Sequence, residues 1–119
     1  MPETLTTKHH VLQAIESNAD PEALIASSTS SFKPGVLAAP LERPAQFAVC
    51  HPFDPVYLLP MVEVVPGAQT SRATVDRMLA ALGSAAMKPL VVRREIDAHI
   101  ADRLLEAVWR EALWLVRDV

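Results

Sequence analysis

His51 and Glu63 stand in the stretch CHPFDPVYLLPMVEVVP, Cys50 to Pro66. Glu63 lies within the apolar run MVEVV. Side chains alternate along a strand, so Met61, Glu63 and Val65 would share one face and Val62 and Val64 the other. Both faces are apolar, which predicts a buried carboxylate. Such a group takes up a proton or finds a partner, because burying it unpaired is costly. His51 is the best candidate, at the start of a Pro-rich loop, 51–60, whose prolines at 52, 55 and 60 limit its conformations. A carboxylate fixes the tautomer of an imidazole and favours its charged form, which suits a general acid–base. Structural ion pairs use the same residues, so spacing alone leaves both readings open.

The other reactive types carry weaker signals. Cys50 adjoins His51, and neighbouring strand residues point to opposite faces, so the two form no dyad. Cys50 reads as a small core residue. His9, His10 and His99 show no metal-ligand spacing with Cys50, and no metal site is expected. His9 and His10 are expected on the solvated edge of a helix. The cluster SSTSS, Ser27 to Ser31, can end a strand and open a turn. Its hydroxyls would also suit a substrate hydroxyl or a cofactor amide at the carboxyl end of a strand.

These residues need a scaffold. Residues 3–18 read as a helix with Leu5, Lys8, Val11, Leu12 and Ile15 on one face and Pro2 in its first turn. Apolar runs at 23–28, 46–50, 61–65 and 88–92 read as strands. FKPGVLAAP is a loop with room for one helical turn. A second helix starts at a Thr70 or Ser71 cap, follows Val75, Met78, Leu79 and Leu82, and stops at Gly83. A long helix spans 97–117. The order α-β-β-β-α-β-α predicts an α/β layered sheet, at least partly parallel. The last helix carries Ile100, Leu104, Leu105, Val108, Trp109, Leu115 and Val116, more apolar surface than so small a core can cover. The chain stops at Val119 within a turn of it, and both ends are expected to be cut.

Composition excludes several classes. The 119 residues suffice for one small domain, and half of them are hydrophobic. A net charge of −3 argues against general nucleic-acid binding. One cysteine rules out an internal disulfide and suits a reducing cytoplasm. No apolar run reaches the roughly 20 residues of a membrane span, and MPETLTTKHH lacks the apolar region expected of a signal peptide. Only Gly35, Gly67 and Gly83 are present, so neither GxGxxG nor a P-loop can exist here.

The segments IASSTSSFKP, CHPFDPVYLLPMVEVVPG and REIDAHIADRLLEAVWREALWLV together resemble the 3-hydroxyacyl-CoA dehydrogenase family. FKP, VYLLP and DRLLEAVWREALWLV favour its carnitine branch. The resemblance covers nearly the whole chain. It implies an NAD-dependent oxidation of the 3-hydroxyl of a small 3-hydroxy acid such as carnitine. It places residues 1–95 in the second half of a Rossmann-type NAD-binding domain, without the Gly-rich half. Residues 96–119 would begin the α-helical C-terminal domain through which the family forms homodimers. His51 then resembles the catalytic base, and Glu63 the acid that orients it. Ser30 resembles the serine near the substrate hydroxyl and the nicotinamide. Asp54 and Asp102 stand where the family commonly has asparagine. An ionised aspartate cannot donate a hydrogen bond, and a carboxylate at 102 could favour a cationic substrate. Phe53, Tyr57 or Trp109 could offer an aromatic face to a trimethylammonium group. Without the Gly-rich half, this chain alone is expected to bind NAD poorly and show little or no activity. A non-catalytic interaction fragment acting through the apolar helix, or a small binding module using the His51 pocket, are the other readings.

Overall fold

The computed structural model describes residues 2–119. Helix α1 spans Leu5–Asn18 and leads to the short strand β1, Ile25–Ser27. The expected single helical turn is α2, Pro34–Ala38. Strands β2 (Phe47–Pro52) and β3 (Met61–Pro66) form a hairpin. Helix α3 (Arg72–Ser84), strand β4 (Lys88–Val91) and helix α4 (Ala101–Asp118) complete the chain.

The four strands lie in sequence order in one sheet. β1 runs parallel to β2, β2 antiparallel to β3, and β3 parallel to β4. Strand alternation sends Phe47, Val49 and Val65 to one face, where they pack with Leu12, Ile25, Leu37, Leu41 and Val92. Ala48 and Val64 face the other way, onto Met78 of α3, with Cys50, Leu79 and Leu82 beside them. The sheet is therefore covered by α1 and α2 on one face and by α3 on the other, the layering the sequence predicts.

Several details differ from expectation. Pro2 precedes α1, which starts at Leu5 after Thr4. Its buried stripe is Lys8, Leu12 and Glu16, whereas Val11 and Ile15 are exposed. The two charges are buried because each has partners. Lys8 Nζ lies 2.8 Å from Glu3 Oε2, and Glu16 accepts from the backbone N–H groups of Glu42 and Arg43 at 2.9 and 2.6 Å. His9 is half-buried and its Nε2 donates to the Val36 carbonyl at 2.8 Å, tying α1 to α2. Ser71 caps α3 by accepting from Thr74 N–H. Gly83 does not end that helix. The left-handed residue after it is Ala86, at φ 60°, and Met87 N–H returns to the Leu82 carbonyl.

The long helix starts four residues later than the sequence suggests. Ala98 and His99 adopt left-handed backbone at φ 58° and 51°, which no helix can include. From Ala101 onward α4 has no buried residue, and Leu104, Leu105, Val108, Trp109 and Val116 are all at least 60% exposed. Among the described residues, no helix is long and apolar enough to cross a membrane.

Candidate active site

His51 belongs to β2 rather than to the proline loop, and Glu63 is its direct cross-strand partner in the β2–β3 register. Opposed residues in an antiparallel pair bring their Cβ atoms within about 5.5 Å. The sheet thus sets the separation, and the loop at 53–60 only closes the hairpin. His51 Nδ1 lies 3.0 Å from Glu63 Oε2, with His51 5% and Glu63 1% exposed. A carboxylate only accepts, so Nδ1 carries the proton and Nε2 keeps its lone pair.

The second oxygen of Glu63 is also used. Oε1 accepts from the backbone N–H groups of Ile100 and Ala101 at 3.0 and 3.1 Å. These belong to the orphan donors at the start of α4, where a negative charge is favoured. Ile100, at the N-cap, offers no capping side chain. A carboxylate distant in sequence therefore caps the helix, and every group facing Glu63 is a donor. The cost of burying the charge is offset by the base and the helix together.

The same helix start delivers Asp102. Its Oδ2 lies 3.8 Å from His51 Nε2, an ion-pair separation too long for a hydrogen bond. Asp102 also lines a cleft of about 670 Å³ with Ser30, Ser31, Asp97, Arg103 and Glu106. Ser30 is exposed there, just beyond β1, so the structure brings His51, Glu63, Asp102 and Ser30 to one end of the sheet. Asp54 is not drawn in: it lies in the exposed hairpin loop and bonds none of the other four. Phe53 packs on His51, ring centres 5.5 Å apart, while Tyr57 is 85% and Trp109 60% exposed. Cys50 faces the opposite side of the sheet, its Sγ 3.8 Å from Met78 Sδ, and burial pushes its thiol up to about 11.

One residue escaped the sequence reading. His99 is fully buried, its ring centre 5.2 Å from that of His51. Its Nε2 lies 3.0 Å from the Thr29 carbonyl. Spacing carries no sign of this, because the approach depends on two left-handed residues that are not glycine.

Comparison with known proteins identifies the family. The profile of the family described as "3-hydroxyacyl-CoA dehydrogenase, NAD binding domain" matches residues 1–96. The chain belongs to that family. Members of the 3-hydroxyacyl-CoA dehydrogenase family are NAD-dependent oxidoreductases. The chain is 52% identical over 118 residues to an L-carnitine dehydrogenase/betainyl-CoA thioesterase of Agrobacterium fabrum, covering 99% of this chain and 24% of that protein. It is 50% identical to an L-carnitine dehydrogenase of Staphylococcus epidermidis, covering 37% of it. The solved structure of an NAD+-dependent dismutase, 5-formyl-3-hydroxy-2-methylpyridine 4-carboxylic acid 5-dehydrogenase, superposes with a TM-score of 0.93. The two are 29% identical, over 99% of this chain and 38% of that one. The chain spans 24% to 38% of the length of the curated relatives it matches.

The residues present do not fit the pyrophosphate of NAD. The glycine nearest a strand-to-helix turn, Gly35, donates its N–H to Glu95 Oε2 at 2.6 Å. A carboxylate already occupies that donor, and its charge would repel a phosphate.

Proposed function

We propose that this chain carries the acid–base part of an L-carnitine dehydrogenase active site, with residues 1–95 as part of the Rossmann-type domain and 96–119 as the start of the helical domain. The observation that carries it is the buried His51–Glu63 pair, with Nδ1 bound and Nε2 free to take a proton. His51 is the catalytic base that removes the proton of the substrate's 3-hydroxyl. Glu63 holds the ring in the tautomer that can accept it. Ser30, in the loop just beyond β1, supplies a hydroxyl near the substrate's 3-hydroxyl and the nicotinamide. NAD, the hydride acceptor of the family, needs a cradle that the described residues do not form.

Carnitine is a 3-hydroxy acid with a permanent cation, and Asp102 offers a partly exposed carboxylate beside His51 Nε2. That placement, with the identity to L-carnitine dehydrogenases, favours carnitine over a neutral 3-hydroxy acid. Steady-state oxidation of L-carnitine by a full-length protein containing this segment tests the reading. H51Q should lower kcat roughly 10²–10⁴-fold, the usual worth of a general base. Undiminished kcat would refute it.

A second role rests on α4. Its unburied apolar residues suit a helical domain packed in a homodimer, as the family resemblance implies.

A further inference from the structure

We propose that His99 is a positioning residue that clamps the serine loop to the entry of α4 and so fixes Ser30 and Asp102 about His51. This role rests on the acid–base reading of His51. Three segments meet at the site: the loop after β1, the end of β2, and the turn before α4. His99 touches all three. It sits in the turn before α4, immediately before the Ile100 N–H that Glu63 holds. Its Nε2 reaches the Thr29 carbonyl, one residue before Ser30. Its ring lies against that of His51, tilted by 50°.

The hydrogen bonding fixes one tautomer. A carbonyl only accepts, so the proton must be on Nε2. Nδ1 is then a bare acceptor, and it has no partner among the described residues. The two touching imidazoles therefore hold opposite tautomers: Nδ1–H at His51 and Nε2–H at His99. The left-handed backbone at 98 and 99 is the local cost of aiming the ring this way, and sparse backbone conformations of this kind gather at functional sites. The side chain of Thr29 is anchored separately, through its hydroxyl to Glu3. The His99 bond is the buried tie between the loop and the turn before α4, beside the more exposed Lys33–Asp97 ion pair at 3.0 Å.

The 119-residue chain, labelled with ¹⁵N, reports on this directly. Long-range ¹H–¹⁵N spectra should show His99 protonated on Nε2 and His51 on Nδ1; a proton on Nδ1 of His99 would overturn the proposal. H99F keeps a ring but removes the donor. It should speed amide exchange of Ser31 and Phe32, whose N–H groups donate to Thr29 Oγ1, by about tenfold or more, with the fold retained and His51 still protonated on Nδ1 by Glu63. H99Q restores an N–H donor and should return exchange to within about threefold of the wild type. Wild-type exchange in H99F, or H99Q no better than H99F, would refute the clamp. Should H99F fail to fold, H99Q decides: wild-type exchange supports the clamp and a fast loop overturns it. None of these measurements reads turnover, so a failure of the H51Q kinetics would remove the catalytic reading and leave the clamp separately tested.

Discussion

Replacing Glu63 by glutamine removes a charge and little else in shape. The consequence follows from a count of donors. Three groups face the carboxylate: His51 Nδ1 at 3.0 Å and the N–H groups of Ile100 and Ala101 at 3.0 and 3.1 Å. A carboxylate has an oxygen for each side, but an amide has one oxygen and one donating NH₂. The backbone N–H groups cannot change their nature; an imidazole can change tautomer. The amide oxygen should therefore turn to α4 and its NH₂ to His51. Nδ1 must then accept, which moves the ring proton to Nε2. The face that should take the substrate's proton becomes a donor.

Two magnitudes follow. Turnover of the full-length protein should fall roughly 10²–10⁴-fold, as for loss of a general base. Stability should fall less drastically, by about 1–1.5 kcal/mol, the difference between a charge-assisted bond to the helix start and the neutral one that replaces it. E63Q should therefore fold, and ¹⁵N spectra of the 119-residue chain should show His51 protonated on Nε2. Wild-type turnover would sink the dyad. A folded E63Q with His51 still protonated on Nδ1 would refute the donor count itself.

D102N should raise KM for L-carnitine by up to about fivefold, the worth of a partly exposed ion pair, and leave a neutral 3-hydroxy acid less affected. Equal effects on both substrates would remove charge recognition from Asp102. Phe47 is fully buried at the centre of the larger core. F47A should cost about 3–5 kcal/mol in urea unfolding of the 119-residue chain, and a loss below about 1 kcal/mol would show that this core is not formed. Burial raises the Cys50 thiol from 9.0 to about 11. A raised value means the folded state prefers the neutral thiol, so its contribution is complete below pH 9.0 and is lost as pH rises through about 11. C50A should flatten stability across that window, and an identical decline in both proteins would contradict the assignment. The exposed apolar face of α4 should make the chain self-associate at micromolar concentration; V108D with V116D should yield a monomer by sedimentation. Monomeric wild type would count against the homodimer.

The layers were legible because apolar periodicity decides burial: Phe47, Val49, Val64 and Val65 read as strand core and are fully buried. So was the pairing of His51 with Glu63, since a carboxylate in MVEVV needs a partner. What held them together was less legible. Two neighbouring prolines suggested a loop at His51, yet Pro52 can end a strand without losing a ladder bond that it needs. The capping of α4 by Glu63 was hidden for another reason. Its bond spans 37 residues, and nothing local marks it beyond the lack of a capping side chain at Ile100. That lack was itself a clue: a helix start without a local cap needs a remote acceptor. His99 had no counterpart clue, because left-handed backbone at Ala98 and His99 cannot be read from residues that ordinarily avoid it.

The proposed preference for a cation draws on Glu63 as well as on Asp102. Glu63 spends its charge on donors: one imidazole N–H and two helix N–H groups. It presents little field to the cleft. Asp102 is different, because its carboxylate has only the weak 3.8 Å approach to His51 Nε2 and remains a third exposed. A proton arriving at Nε2 would lie between the two carboxylates, and before it arrives Asp102 presents its carboxylate to a cleft whose wall also carries Arg103 and Arg110. An asparagine at 102 could hydrogen-bond to a substrate oxygen but would leave no such charge. A neutral 3-hydroxy acid gains nothing from the carboxylate and loses a donor. A trimethylammonium group gains an attraction that needs no hydrogen bond and tolerates distance. On the proposed reading Asp102 contributes to a preference for a cationic substrate, and D102N should narrow the preference between carnitine and its neutral analogues without abolishing the proton transfer at His51.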